Sequence, residues 1–162
     1  MNISEQAYIT NELQKIKGAT HIRIGRAADM IWIALTGTDG KEYAIHLQTF
    51  FRFCSEDGVL ITDMDKYQPL NEFRDNEEFD WDKQGNNLFD QWCNRFNSTY
   101  TDTITVKSVE VNNMGDLTVI FDNGIFLDVL IDNTSEDECW RFFEKEAAEE
   151  NDLIVLGNSV IS

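Results

Sequence analysis

Residues 119–129 read VIFDNGIFLDV, and two hairpin registers compete for them. A two-residue turn at Asn123-Gly124 sets Val119 opposite Asp128, an apolar side chain against a charge on one face. A three-residue loop Asp122-Asn123-Gly124 instead sets Phe121 opposite Ile125, Val119 opposite Leu127 and Leu117 opposite Val129. Side chains alternate between the faces of a strand, so the register that keeps every apolar residue on one face is the one that can bury it. The longer loop also puts glycine at the left-handed position that closes such loops.

The same test extends outward along the chain. In IALTGTDGKEYAIHL, residues 33–47, the loop Thr38-Asp39-Gly40 pairs Leu35 with Tyr43, Ile33 with Ile45 and Ile31 with Leu47. Loop Asn113-Met114-Gly115 pairs Val111 with Leu117 and Val109 with Val119, and loop Glu56-Asp57-Gly58 pairs Phe53 with Ile61. Four hairpins thus share one x-x-Gly turn grammar. At IGRAADMIWI, residues 24–33, a four-residue loop Arg26-Ala27-Ala28-Asp29 sets Ile24 against Ile31 and Ile22 against Ile33. That register predicts Arg26 and Asp29 at an exposed hairpin tip, close enough to pair with each other.

Two stretches carry helical periodicity. Ser4 is placed to cap a helix with Ile9, Leu13 and Ile16 on one side and Gly18 just past its end. Leu88, Phe89, Trp92 and Phe96 line one side of a second helix over 86–96. Ser135 and Glu138 have capping-box spacing for a short helical turn, followed by strands near 140–143 and 153–157. The predicted class is α+β: antiparallel β meanders of about 9–11 strands with two short amphipathic helices. Each half reads as a helix followed by a three-stranded meander, 5–17 then 21–49 and 86–96 then 103–132. The expectation is one domain over 1–162, with half-units 1–62 and 86–157 joined by the acidic segment 63–85.

With 162 residues, 42% apolar composition and one proline, the chain is long enough for a packed core without metals or disulfides. Its three cysteines, Cys54, Cys93 and Cys139, are widely spaced and form no C-x-x-C pair, which fits a reducing compartment. The opening residues Met1–Glu5 lack a basic then apolar leader, and no apolar run approaches a membrane span. A cytoplasmic location without membrane association is therefore expected. The net charge is −17, and the acid is unevenly placed: residues 55–90 hold eleven acidic and three basic side chains, residues 110–152 thirteen and two. A chain without a basic stripe is not expected to bind nucleic acid through phosphates. Its field favours a basic protein partner. The candidate contact residues are Asp63, Asp65, Asp75, Glu77, Glu78, Glu136, Asp137, Glu144, Glu146, Glu149 and Glu150.

Enzymatic signatures are sparse. Only His21 and His46 could serve as imidazole bases, and no P-loop, G-x-G-x-x-G, H-E-x-x-H or G-x-S-x-G occurs. His46 falls on the face opposite Ile45 and Leu47, beside Gln48 and across from Trp32, so an alternative polar site comprises Trp32, His46 and Gln48 with Arg26 and Asp29 at its edge. DWDKQGNNLFDQ, from Asp80, partly imitates a calcium loop, but its twelfth residue is Gln91 where a bidentate glutamate belongs. No metal, no cofactor and no catalytic residue is expected.

The strings IGRAADMIWI, YAIHLQTFFRF, DMDKYQP, FDWDKQGNNLFDQW and CWRFF…LIVLGNSV together resemble a family of small acidic bacterial proteins. Its markers are G-R-A-x-D/N-M-x-W, Y-x-I/L-H-x-Q and W-R-F…V-x-G, and the likeness runs over about residues 21–157. That family is similar to the immunity proteins encoded beside secreted polymorphic toxins. The resemblance implies a non-enzymatic protein that neutralises a cognate toxin domain. A small-ligand binder or enzyme using the Trp32/His46/Gln48 face, and a structural or oligomerisation module, are the alternatives.

Overall fold

The computed structural model describes residues 1–71, 79–147 and 152–161. Helix α1 spans Ile3–Leu13 and tightens into a 3-10 turn at Gln14–Ile16 before Gly18. Its cap is Asn2 rather than Ser4. The Asn2 side chain accepts from the Glu5 amide while the Glu5 carboxylate accepts from the Asn2 amide, so two otherwise orphaned donors are satisfied reciprocally. Five strands follow: β1 Thr20–Ala27, β2 Met30–Thr36, β3 Glu42–Leu47, β4 Phe51–Ser55 and β5 Gly58–Thr62. A 3-10 turn at Asp63–Tyr67 comes next, then helix α2 at Leu88–Tyr100, which runs one turn beyond the expected 86–96. The remaining strands are β6 Val106–Val111, β7 Leu117–Phe121, β8 Phe126–Val129, β9 Glu138–Glu144, β10 Leu153–Leu156 and β11 Val160–Ile161. The fold is α+β with two antiparallel sheets. No helical turn forms at Ser135–Glu138: the Ser135 hydroxyl donates to Asp137 and Glu138 already belongs to β9.

The registers around the glycine loops are as the alternation requires. Leu117, Val119 and Val129, Leu127 face each other across β7 and β8, as do Ile31, Ile33, Leu35 and Leu47, Ile45, Tyr43 across β2 and β3. At the β4–β5 turn Phe53 does oppose Ile61, but the loop shortens to Glu56-Asp57, with Ser55 opposite Gly58 and the extra residue taken up as a bulge.

Sheet order is β1-β2-β3-β9-β10-β11 in one sheet and β5-β4-β8-β7-β6 in the other. The two halves of the chain are therefore interlaced. Each half supplies a meander to one sheet, β1-β2-β3 or β6-β7-β8, and then crosses to give its next two strands to the other half's sheet. The contacts across the seams match: Leu47 lies opposite Trp140 and Ile45 opposite Phe142, while Val129 lies opposite Phe51 and Leu127 opposite Phe53. Phe51-Arg52-Phe53 and Trp140-Arg141-Phe142 thus occupy corresponding places. The helices are exchanged as well, α1 packing on β6 and α2 on β1. The two crossings lie side by side, joined by Leu130 N–H donating to the Phe50 carbonyl (2.9 Å), Gln48 N–H to that of Cys139 (2.8 Å) and the Thr49 hydroxyl to that of Leu130 (2.7 Å).

The apolar faces of both sheets and both helices share one core. Phe53 packs on Trp92 with ring centroids 4.8 Å apart, Phe51 on Phe89 at 5.6 Å, and the indole N–H of the fully buried Trp140 donates to the Gly115 carbonyl at 2.9 Å. Burying each such ring stabilises the fold by about 1.5–3 kcal/mol. Helix α2 also closes the free edge of β1: the Asn97 carboxamide accepts from Ile24 N–H at 2.9 Å and donates to Ile24 C=O at 2.8 Å, a side chain doing what a neighbouring strand would do.

Gly25 lies opposite Trp32 on the outer face of the first sheet, and the indole covers it. A Cβ at Gly25 would stand 2.3 Å from Trp32 Cζ2. Gly25→Ala is therefore expected to displace the indole and destabilise the protein by about 1–3 kcal/mol. Urea denaturation followed by tryptophan fluorescence checks it, and an unchanged midpoint with an unchanged native spectrum would contradict the close packing.

Candidate functional site

The structure separates the residues of the polar site read from sequence. In the first hairpin Ile24 pairs with Ile33, Arg26 with Ile31 and Ala27 with Met30, so the loop is Ala28-Asp29 and not the four residues Arg26–Asp29. Arg26 is consequently a strand residue on the core face. Its side chain is 0% exposed. The expected pairing of Arg26 with Asp29 gives way to a two-point ion pair with Asp90 of α2, Nε to Oδ1 at 2.7 Å and Nη2 to Oδ2 at 2.8 Å. Asp29 stays at the exposed turn, where its backbone carbonyl accepts from the buried Lys66 ammonium at 2.7 Å.

Both terminal nitrogens of the guanidinium make further hydrogen bonds. Nη1 donates to the Ala28 carbonyl at 3.0 Å, and Nη2 to the carbonyls of Trp81 (2.9 Å) and Asp82 (3.3 Å). The guanidinium lies 5.9 Å from the Trp81 ring. Asp90 in turn accepts from the Gly85 amide at 2.7 Å, and its own amide donates to the capping Asn87 at 2.8 Å. The Asp90 hydrogen bonds raise the Arg26 pKa against the opposing effect of burial, so the charge is held. The stretch that imitates a calcium loop is thus wrapped around a cation of the chain itself: the carbonyls of Trp81 and Asp82 and the carboxylate of Asp90 all point at Arg26. Among the described residues no group of three or more metal-ligating side chains exists. The bond from Arg26 also holds Ala28, whose φ of 53° lies in the left-handed region that favours glycine.

Trp32, His46 and Gln48 lie on the opposite, outer face. One row crosses that sheet through Gly25, Trp32, His46, Arg141 and Ile154. His46 packs edge-on against Phe143, ring centroids 4.8 Å apart. Arg141 is clamped between Glu138 and Asp152, its Nη1 donating to Asp152 at 2.9 Å. The Arg141 guanidinium holds the Glu138 carboxyl below its usual range. Partial burial first, and the Arg141 charge second, lower the His46 pKa from its ordinary value of 6.5. The cavity of about 610 Å³ beside α1 is lined by Tyr8, Lys15, Tyr43, Arg141 and Phe143 among others, without His46.

Several acidic candidates are engaged inside the molecule. Asp63 pairs with Lys66 at 2.7 Å, Asp65 accepts from the Thr62 amide at 2.8 Å, Asp137 from the Ser135 hydroxyl at 2.7 Å and Glu144 from Lys41 at 2.9 Å. Glu136 and Glu146 are exposed. Asp75, Glu77, Glu78, Glu149 and Glu150 lie outside the described residues. Asp90, the partner of Arg26, escaped the sequence reading. Its signal was its place three residues after the capping Asn87, where an acid is expected to serve the helix end.

Removing one member of the Arg26–Asp90 pair leaves a buried charge alone. Arg26→Ala and Asp90→Ala are each expected to destabilise by about 3–5 kcal/mol, while Arg26→Leu with Asp90→Leu costs clearly less than the sum of the two single changes. Urea midpoints of the three variants decide it, and strict additivity would mean the groups do not act as a pair. For His46 the sign follows from its lowered pKa. The unfolded chain binds the proton first as pH falls, so stability present above pH 6.5 declines as pH drops below that value and levels off once the folded state also protonates. His46→Gln is expected to flatten the stability profile between about pH 7 and the onset of carboxylate titration, measured by denaturation at a series of pH values.

Compared with known proteins, the chain matches no family model, no curated protein and no solved structure.

Proposed function

We propose that this protein is a non-enzymatic protein-binding module of the immunity type, which neutralises a cognate basic toxin domain by covering it. The observation that carries the reading is that the basic side chains are largely paired with carboxylates of the chain itself, two of them in the interior and the others at the surface. Lys15, Arg26, Lys41, Arg52, Lys66, Arg141 and Lys145 each sit within 4.0 Å of a carboxylate of the same chain. More than half of the thirteen basic residues are thus locally neutralised, and the net −17 is expressed as an unbalanced negative surface field. Such a field accelerates encounter with a cationic protein and repels nucleic acid, the substrate with which a basic nuclease-like toxin would be engaged. The resemblance to toxin-associated immunity proteins points the same way.

Ligand binding or catalysis on the Trp32/His46/Gln48 face has less in its favour, because His46 packs against Phe143 while the neighbouring Arg141 is already engaged by Glu138 and Asp152.

The test is co-expression with the product of an adjacent toxin-like gene. A stoichiometric complex, rescue of growth and an association rate that falls at least tenfold between about 50 and 500 mM salt are expected. A neighbouring basic protein that is neither bound nor neutralised would overturn the reading.

A further inference from the structure

The two sheets correspond strand for strand except at one place. Strand β10 stands where β5 stands in the other sheet, and β10 has β11 hydrogen-bonded along its outer side. At the corresponding outer side of β5 no strand is present among the described residues. The other edges are protected. Asn97 and the Thr101 carbonyl bond the free side of β1, Gly18, Ala19 and the Gln6 carboxamide bond that of β6, and β11 is two residues long among the described residues.

Nor does β5 carry the charges that usually blunt an edge. Val59 is 57% exposed and Leu60 40%, and Met64 at 54% and Tyr67 at 38% continue the apolar strip past the end of the strand. An exposed apolar edge is a template for pairing with another chain. At its far end the Thr62 amide is taken by Asp65, so the open stretch is Gly58–Ile61. Its flanks are acidic: Glu56, Asp57 and Asp65 have no cation within salt-bridge distance among the described residues, whereas Asp63 is neutralised by Lys66.

We propose that β5 accepts, by strand addition, a short extended cationic segment of the partner protein, at the position that β11 fills in the other sheet. The occupant is cationic because a second copy of this chain would bring the same uncompensated carboxylates against each other, while a strand alternating apolar and basic residues covers Val59 and Leu60 and meets the flanking acids. The proposal rests on the partner-binding reading and gives it a location.

The probe is a blocked eight-residue peptide alternating lysine and valine, with a glutamate–valine peptide as control, titrated into the full-length protein and into Val59→Lys/Leu60→Lys. Binding of the lysine peptide with amide-exchange protection confined to Gly58–Ile61 and the adjoining β4, failure of the glutamate peptide, and at least about tenfold weaker binding by the double variant at unchanged thermal stability are expected. Absence of binding, equal binding of the two peptides, self-association through β5, or protection at β1, β6 or β11 would overturn it. A toxin domain captured equally well by wild type and double variant would overturn the β5 assignment while leaving the immunity reading intact. A lysine peptide bound at β5 without any toxin partner would do the reverse.

Discussion

A guanidinium buried at the end of one strand and a carboxylate in the first turn of a distant helix hold the two halves of this molecule in register. Arg26 and Asp90 meet through two short hydrogen bonds, and around them gather the turn at Ala28, the carbonyls of residues 81 and 82 and the capped start of α2. In the corresponding place of the other half, where Val111 opposes Leu117 as Arg26 opposes Ile31, the residue is apolar. A valine suffices for packing at that position. The ion pair adds direction instead: five donors in a planar fork specify where the loop before α2 must lie, which apolar contact cannot do.

Interlacing explains why the seams are so densely apolar. Because the first half lends two strands and the second three to the other's sheet, the contacts Leu47–Trp140 and Val129–Phe51 join residues from opposite halves, and the same is true of α2 against β1. At the crossings, residues 48–50 and 130, the backbone changes sheets around the buried Thr49, and backbone groups of one crossing bond those of the other.

How much of this was legible depends on the length scale of the signal. The hairpins at 122–124, 113–115 and 38–40 were readable because a glycine fixed the loop and the period of two fixed the face. The hairpin at 27–30 was not, because Ile22, Ile24, Ile31, Ile33 and Leu35 make a shift by two residues invisible: both registers keep the isoleucines on one face. Only the fit of Trp32 over Gly25 and the distant Asp90 separate them. The helical turn at Ser135 failed because capping-box spacing is local and β9 offered Glu138 a place in a sheet. Partnership of β3 with β9 and β4 with β8 left only the faint echo of Phe-Arg-Phe and Trp-Arg-Phe. Of the polar site, the facing of His46, Gln48 and Trp32 was foreseeable from alternation, and the inward turn of Arg26 was not.

Interlacing also orders events during synthesis. When the first 62 residues have left the ribosome, β1 to β5 exist as sequence, but β3 and β4 lack β9 and β8, and Arg26 lacks its carboxylate. The Ile45 and Phe53 rows then have no cover. Residues 1–62 stay without these partners until β8, and after it β9 and β10, have emerged, and the interval before residues 126–156 arrive is when their open edges are most exposed to mispairing.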